Sequence, residues 1–152
     1  MRNINGLIFI LAGCLMIMAG CSSPAAPAAV NPGNATITEG VMTTAVDSNS
    51  KPTGAVTTSF PSDTEAVYCS FKVVGVAKED LIKATWIYVS GEDMSKADTV
   101  LNETYDIVQV PEASYYLAFY FDKPVEGWTK GDYKVVLSIN NKEKLSVPFK
   151  IE

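Results

Sequence analysis

Residues 131–152 read GDYKVVLSINNKEKLSVPFKIE, and this stretch decides the fold class. Tyr133, Val135, Leu137 and Ile139 alternate with Lys134, Val136, Ser138 and Asn140. Leu145, Val147, Phe149 and Ile151 alternate with Lys144, Ser146, Pro148 and Lys150. Successive side chains of a strand point to opposite faces, so each period-two run predicts a strand with one buried face. Asn140-Asn141-Lys142-Glu143 between them predicts a hairpin, because asparagine tolerates the left-handed backbone that tight turns demand. Pro148 donates no ladder hydrogen bond, which puts the last strand near a sheet edge at that point.

Working towards the N-terminus, the same grammar repeats. Short β-rich runs separated by turn signals predict strands near Ile37–Val46, Ala66–Val74, Lys83–Ser90, Thr104–Gln109 and Ser114–Phe121. With 132–139 and 144–151 that makes about seven, the immunoglobulin-like number, and 55–58 offers one more. Only 77–82 and 93–100 are compatible with helix, a turn or less in each. The expected fold class is all-β, a two-sheet sandwich.

Directly before the hairpin lies Trp128-Thr129-Lys130-Gly131-Asp132-Tyr133-Lys134-Val135. This W-x-x-G-x-Y-x-V pattern resembles the start of a late strand in extracellular immunoglobulin-like domains of bacteria and archaea. The resemblance covers residues 36–152 and implies a Greek-key sandwich. Tyr133 then corresponds to a tyrosine corner, whose hydroxyl bonds back to nearby backbone. Antibody-type domains carry a cysteine two residues after that tyrosine, and here Val135 stands there. The partner cysteine falls on the second strand, as Cys69 does, and a tryptophan on the third, as Trp86 does. The resemblance thus implies a core pin of Cys69, Trp86, Tyr133 and Val135, with one sulfur replaced by an isopropyl group. A generic sandwich with chance aromatic placement is the competing reading, and neither says anything of function.

The N-terminus carries a different message. Arg2 precedes an apolar stretch from Gly6 to Ala19, roughly 14 residues, short of the ~20 a membrane-spanning helix needs. Charge, then apolar run, then small residues is the order of a secretory signal peptide. Two lipobox-like sites follow, Leu11-Ala12-Gly13-Cys14 and Met18-Ala19-Gly20-Cys21. Cutting before Cys14 leaves a hydrophobic region near the lower limit of ~7 residues and a mature end of Cys-Leu-Met-Ile-Met. Cutting before Cys21 uses the whole apolar run and exposes polar Ser22-Ser23-Pro24, so Cys21 is favoured. Unlipidated cleavage after Ala26 or Ala29 leaves Gly20-Cys21 unexplained. Residues 1–21 resemble the start of prokaryotic lipoproteins. That resemblance implies a diacylglycerol thioether at Cys21, cleavage after Gly20 and an extracytoplasmic, membrane-anchored protein. In a Gram-negative host, Ser22 implies the outer membrane. Residues 21–35 form the lipidated end and a Pro/Ala linker, whose stretch from Ser22 to Asn34 reaches roughly 40 Å when extended at about 3.1 Å per residue.

Composition narrows the chemistry. The chain has 152 residues and a formal net charge of −5; removing the 20-residue signal leaves one domain's worth of sequence. Beyond Arg2 every basic residue is a lysine, scattered singly, so phosphate backbones find no basic patch and nucleic acid is not an expected partner. There is no histidine. That removes Ser-His-Asp and Cys-His catalysis and the commonest zinc ligand, and neither cofactor nor metal is expected. Beyond the lipobox cysteines only Cys69 remains, without an internal disulfide partner, and its apolar alternating surroundings fit a small buried hydrophobe.

The candidate sites are few. In 115–121, YYLAFYF, Tyr115, Leu117, Phe119 and Phe121 share one face and Tyr116, Ala118 and Tyr120 the other. If the first face is core, Tyr116 and Tyr120 flank a small alanine outside, a platform for stacking on a sugar or a protein; plain strand pairing is the bland alternative. Glu92, Asp93, Asp98, Glu103 and Asp106 form the densest acidic stretch, but their spacing fits no calcium loop and reads as solvated. Asn34-Ala35-Thr36 and Asn102-Glu103-Thr104 match the glycosylation triplet, which arises often by chance. The functional expectation is a non-catalytic binding or assembly module for an envelope protein or glycan. Its rivals are a purely structural lipoprotein and an accessory subunit of an envelope enzyme using Glu92, Asp93 or Asp106.

Overall fold

The structure, a computed structural model, describes residues 34–152. The signal, both lipobox cysteines and the 21–33 part of the linker lie outside the described residues. Eight strands follow in order: β1 Thr36–Thr43, β2 Ser59–Phe60, β3 Ala66–Val74, β4 Leu81–Gly91, β5 Thr99–Ile107, β6 Ser114–Asp122, β7 Gly131–Ile139 and β8 Lys142–Ile151. One 3₁₀ turn, Met94–Lys96, is the only helical element among them.

Two sheets face each other. The smaller has the order β1-β3-β6, the larger β2-β8-β7-β4-β5. Connections β1–β2, β2–β3, β3–β4, β5–β6 and β6–β7 each cross between sheets, while β4–β5 and β7–β8 join neighbours within the larger one. That is the Greek-key wiring of an immunoglobulin-like sandwich. Apolar faces of both sheets meet in one core, which includes Val67, Cys69, Phe71, Val73, Ile82, Trp86, Val135, Leu137 and Ile151.

The strand limits depart from the sequence-based expectations for local reasons. Asn140 and Asn141 both have positive φ (51° and 62°), so they alone make the turn, and Lys142 and Glu143 already belong to β8. The first strand stops at Thr43 rather than at Val46. The extra strand expected at 55–58 is displaced to the two residues Ser59–Phe60, which lie parallel to Lys150 and Ile151 of β8. Asp93 caps a helical turn of three residues, its side chain accepting from the Ser95 N–H, and β5 starts at Thr99, five residues before Thr104. Because β2 reaches no further than Lys150, β8 is an edge at Pro148.

Two glycines fix one end of the sandwich. Gly91 of β4 and Gly131 of β7 are ladder partners, each with φ of +151°. A Cβ on Gly131 would collide with the Ser90 carbonyl and the Gly91 backbone, and one on Gly91 with Lys130 and Gly131. Only glycine lets the strands close here.

Candidate binding face

The residues of the core pin sit together. Cys69, Trp86, Tyr133 and Val135 are all buried in the single core. Trp86 lies opposite Val135 in the β4–β7 ladder, with its ring 5.7 Å from Phe121 and 6.1 Å from Phe149. The Tyr133 hydroxyl donates to the Thr129 carbonyl four residues back, the tyrosine-corner bond. Burial pushes the Cys69 thiol up to about 12, so it stays protonated and unreactive at neutral pH. These residues hold the fold and offer no surface.

The outward face of β1-β3-β6 is different. Tyr116, Ala118 and Tyr120 lie opposite Lys72, Ser70 and Tyr68 of β3. Tyr120 is half exposed, at 51%, and its ring packs on Tyr68 with centroids 5.5 Å apart. Tyr116 has another environment. A register shift in β1 between Thr38 and Val41 puts Glu39 at a positive φ of 56°, a bulge that turns its side chain over the sheet. The Tyr116 hydroxyl donates to the Glu39 carboxylate, and Lys72 reaches the same carboxylate at 3.4 Å. The Tyr116 hydrogen bond, then the Lys72 charge, holds Glu39 below its ordinary value. The same bond raises the Tyr116 hydroxyl.

The face is not the bare platform that the alternation in β6 predicts. The Ser70 hydroxyl donates to the Ser50 carbonyl at 2.6 Å, so the 47–51 turn rests on the sheet beside Ala118. The neighbouring Lys51 ammonium stands 5.0 Å from the Tyr116 ring centre, a cation–π contact. Between this turn and the start of β6 runs a groove of about 510 Å³ whose lining includes Asn49, Lys51, Lys72, Ser114 and Tyr116. Tyr120 keeps its stacking surface, while Tyr116 contributes an edge and a hydroxyl to a polar groove. Glu39, Asn49, Lys51 and Lys72 were not legible as site residues. The bulge and the folded-back turn that bring them here join segments distant in sequence.

The acidic stretch disperses. Asp93 caps the 3₁₀ turn and pairs with Lys96 at 3.3 Å. Hydrogen bonds from Ser95, then from Lys96, lower its carboxyl. Glu103 is held low by a hydrogen bond from Lys83 at 3.0 Å, with Thr85 adding a second. Among the described residues no cluster of three or more His, Cys, Asp or Glu side chains is arranged to hold a metal. Sequence reading also missed a cleft of about 500 Å³ whose lining includes Tyr88, Phe121, Trp128 and Tyr133 with Lys96 and Glu126. Its tryptophan and one tyrosine had registered only as fold markers. Trp128 is 7% exposed and its Nε1 donates to the Thr64 carbonyl, so the aromatic wall is mainly structural.

No family model matches the chain, and no curated protein matches it in sequence. Solved structures resemble it in shape. The alkylpurine DNA glycosylase AlkC of Pseudomonas fluorescens, in a complex with DNA containing an abasic-site analogue, matches with TM-score 0.50 at 12% identity over 78% of this chain. This chain spans 30% of that protein. An immunoglobulin-like protein from Pseudomonas aeruginosa matches over 79% of this chain and 93% of its own, at 16% identity and TM-score 0.44. A β-glucosidase of Kluyveromyces marxianus gives 10% identity and TM-score 0.41, over 65% of this chain and 15% of the enzyme. At such identities the likeness concerns fold alone.

Proposed function

We propose that this chain is an extracytoplasmic lipoprotein, anchored through diacylglycerol on Cys21, whose sandwich is a non-catalytic binding or assembly module for an envelope protein or glycan. The observation that carries the binding role is the outward face of the smaller sheet. It offers an exposed tyrosine, Tyr120, whose ring packs at a tilt against Tyr68, beside a polar groove whose lining includes Tyr116, Asn49, Lys51 and Lys72. A stacking surface next to amide and ammonium donors is the chemistry that recognises sugars and the polar rims of protein surfaces.

Topology adds an orientation. β1 begins at the end of the sandwich that carries the 75–80, 108–113 and 140–141 connections, and the C-terminus lies at the other. A chain tethered through residues 21–35 enters the sandwich at the first end. Tyr116 lies on the part of β6 nearer that end and Tyr120 farther from it.

Two measurements test the proposal. Cys21→Ser should release the protein from membranes while Cys14→Ser leaves it bound; the reverse result would move the anchor. Recovery of envelope components by the wild-type protein should fall sharply with Tyr116→Ser/Tyr120→Ser. Undiminished recovery would remove this face from the account.

A further inference from the structure

We propose that the open edge of β6 pairs with β6 of a second copy, antiparallel about Ala118, joining two three-stranded sheets into one of six strands. The interface is the backbone edge of β6; it shares Tyr116 and Tyr120 with the outward face but does not depend on that face binding anything.

The four sheet edges are unequal. β2 is two residues long. β1 is broken by the bulge at Glu39–Gly40. β5 has a register shift against Trp86/Ile87 and carries Glu103 and Asp106. Short length, bulges and charge are the devices by which proteins keep edges from pairing. β6 has none of them. It runs nine residues, Ser-Tyr-Tyr-Leu-Ala-Phe-Tyr-Phe-Asp, in unbroken register with β3. It contains no proline or lysine, and its single charge is the terminal Asp122. Among the described residues only β3 pairs with it, so its other side presents unpaired backbone groups.

The inward face of β6 is also short of cover. On β3, at the centre of the same sheet, Val67, Cys69, Phe71 and Val73 are fully buried. On β6, Tyr115, Leu117 and Phe121 are only partly buried against the same core. A strand added beyond β6 would supply the missing neighbour.

The strand's own sequence names the occupant, because it is nearly palindromic about Ala118. Antiparallel pairing about that residue sets Tyr116 opposite Tyr120 of the second copy, Leu117 opposite Phe119 and Tyr115 opposite Phe121. Asp122 meets Ser114 and not another carboxylate. Aromatic and apolar residues face their like on both sides of the sheet, with no like-charge pair. Such self-complementarity is what a two-fold interface requires. A slip of one residue would put core side chains opposite solvent-facing ones.

The register gives a direct test with the full-length chain in membranes under mild oxidation. Ala118 is the one position that meets itself, with Cβ atoms about 4.5–5.5 Å apart. Ala118→Cys should form a disulfide-linked dimer, and the parent chain serves as the blank for its own cysteines. Tyr116→Cys alone and Tyr120→Cys alone should not cross-link, whereas the two co-expressed should. In detergent extracts the parent should sediment at twice the monomer protein mass and Ala118→Lys at the monomer mass, with Ala118→Ser as the folded control remaining dimeric. Equal cross-linking of all three single variants, no cross-linking of Ala118→Cys, or a monomeric parent would overturn the proposal. A dimer that survives Tyr116→Ser/Tyr120→Ser while envelope recovery is lost would separate this edge from the tyrosine face.

Discussion

β6 and β7 are both nine residues long and both rich in aromatic and branched side chains, yet the sandwich treats them differently. β7 lies between β4 and β8, and its inward residues Tyr133, Val135, Leu137 and Ile139 are all buried. β6 has a neighbour on one side only, and of its four inward residues only Phe119 is buried, at 8% exposure. Alternation tells which face of a strand turns inward. It does not tell whether a neighbour stands on each side, and the neighbour decides how completely that face is covered.

The comparison becomes quantitative with one substitution on both strands. Leu137→Ala empties a fully buried site on β7 and should cost about 2–5 kcal/mol. Leu117→Ala on β6 removes a side chain only partly covered and should cost clearly less. Trp86→Ala, on β4 between β5 and β7, should cost about 3–5 kcal/mol, a large part of a domain's stability. Denaturant midpoints at low protein concentration check all three. If Leu117→Ala cost as much as Leu137→Ala there, the contrast between edge and centre would fail. A Leu117→Ala cost that grows with protein concentration would instead favour a paired β6.

Backbone closure gives the next contrast. Gly131→Ala forces a side chain into the Ser90 carbonyl at a positive φ of 151°. The strain alone should cost about 1–3 kcal/mol. Ala118→Gly on β6 asks nothing of the backbone beyond entropy and should cost about 0.5–1 kcal/mol. Thermal unfolding of the two variants measures the difference, and equal losses would mean that the Gly91–Gly131 contact carries no steric constraint.

What the sequence disclosed follows the same division. The β7–β8 hairpin was legible because period-two alternation encodes it, and the tyrosine corner and a buried Trp86 were legible through the resemblance carried by the local W-x-x-G-x-Y-x-V pattern; that Trp86 lies opposite Val135 was not. Tyr116 and Tyr120 were legible as outward residues for the same reason. Their surroundings were not. Glu39 reaches Tyr116 through a bulge that no alternation announces, and the loop that carries Ser50 to Ser70 of β3, twenty residues on, also sets Lys51 over Tyr116 of β6. β5 was placed five residues late, because 93–100 balances helix and strand signals and only pairing with β4 settles it.

Alkaline pH probes two buried groups, Cys69 and Tyr133. Burial holds the Cys69 thiol at about 12 against an ordinary 9.0. Burial, then the neighbouring Tyr88, holds the Tyr133 hydroxyl at about 12 against 10.0. Both groups ionise more readily in the unfolded chain, so they contribute stability that is complete below pH 9 and is lost as pH rises from about 9 to 12. Tyr133→Phe should cost about 1 kcal/mol at neutral pH, for the lost bond to Thr129. It should also flatten the part of the decline that begins near pH 10. Cys69→Ala should remove the part that begins near pH 9. Melting curves between pH 8 and 11.5 read both slopes, and a decline unchanged in both variants would assign the loss to other groups.

The smallest effect belongs to the other tyrosine. Tyr120→Phe makes the same chemical change on β6, but its hydroxyl stands at a half-exposed position and its ring keeps its tilted contact with Tyr68. Stability should move by no more than about 0.5 kcal/mol, against about 1 kcal/mol for Tyr133→Phe. Because the stacking surface survives, envelope recovery by Tyr120→Phe should stay near that of the parent and fall only when the ring itself is removed in Tyr120→Ser. If recovery is lost already with Tyr120→Phe, the hydroxyl and not the ring makes the contact, and the partner reads this face through a hydrogen bond.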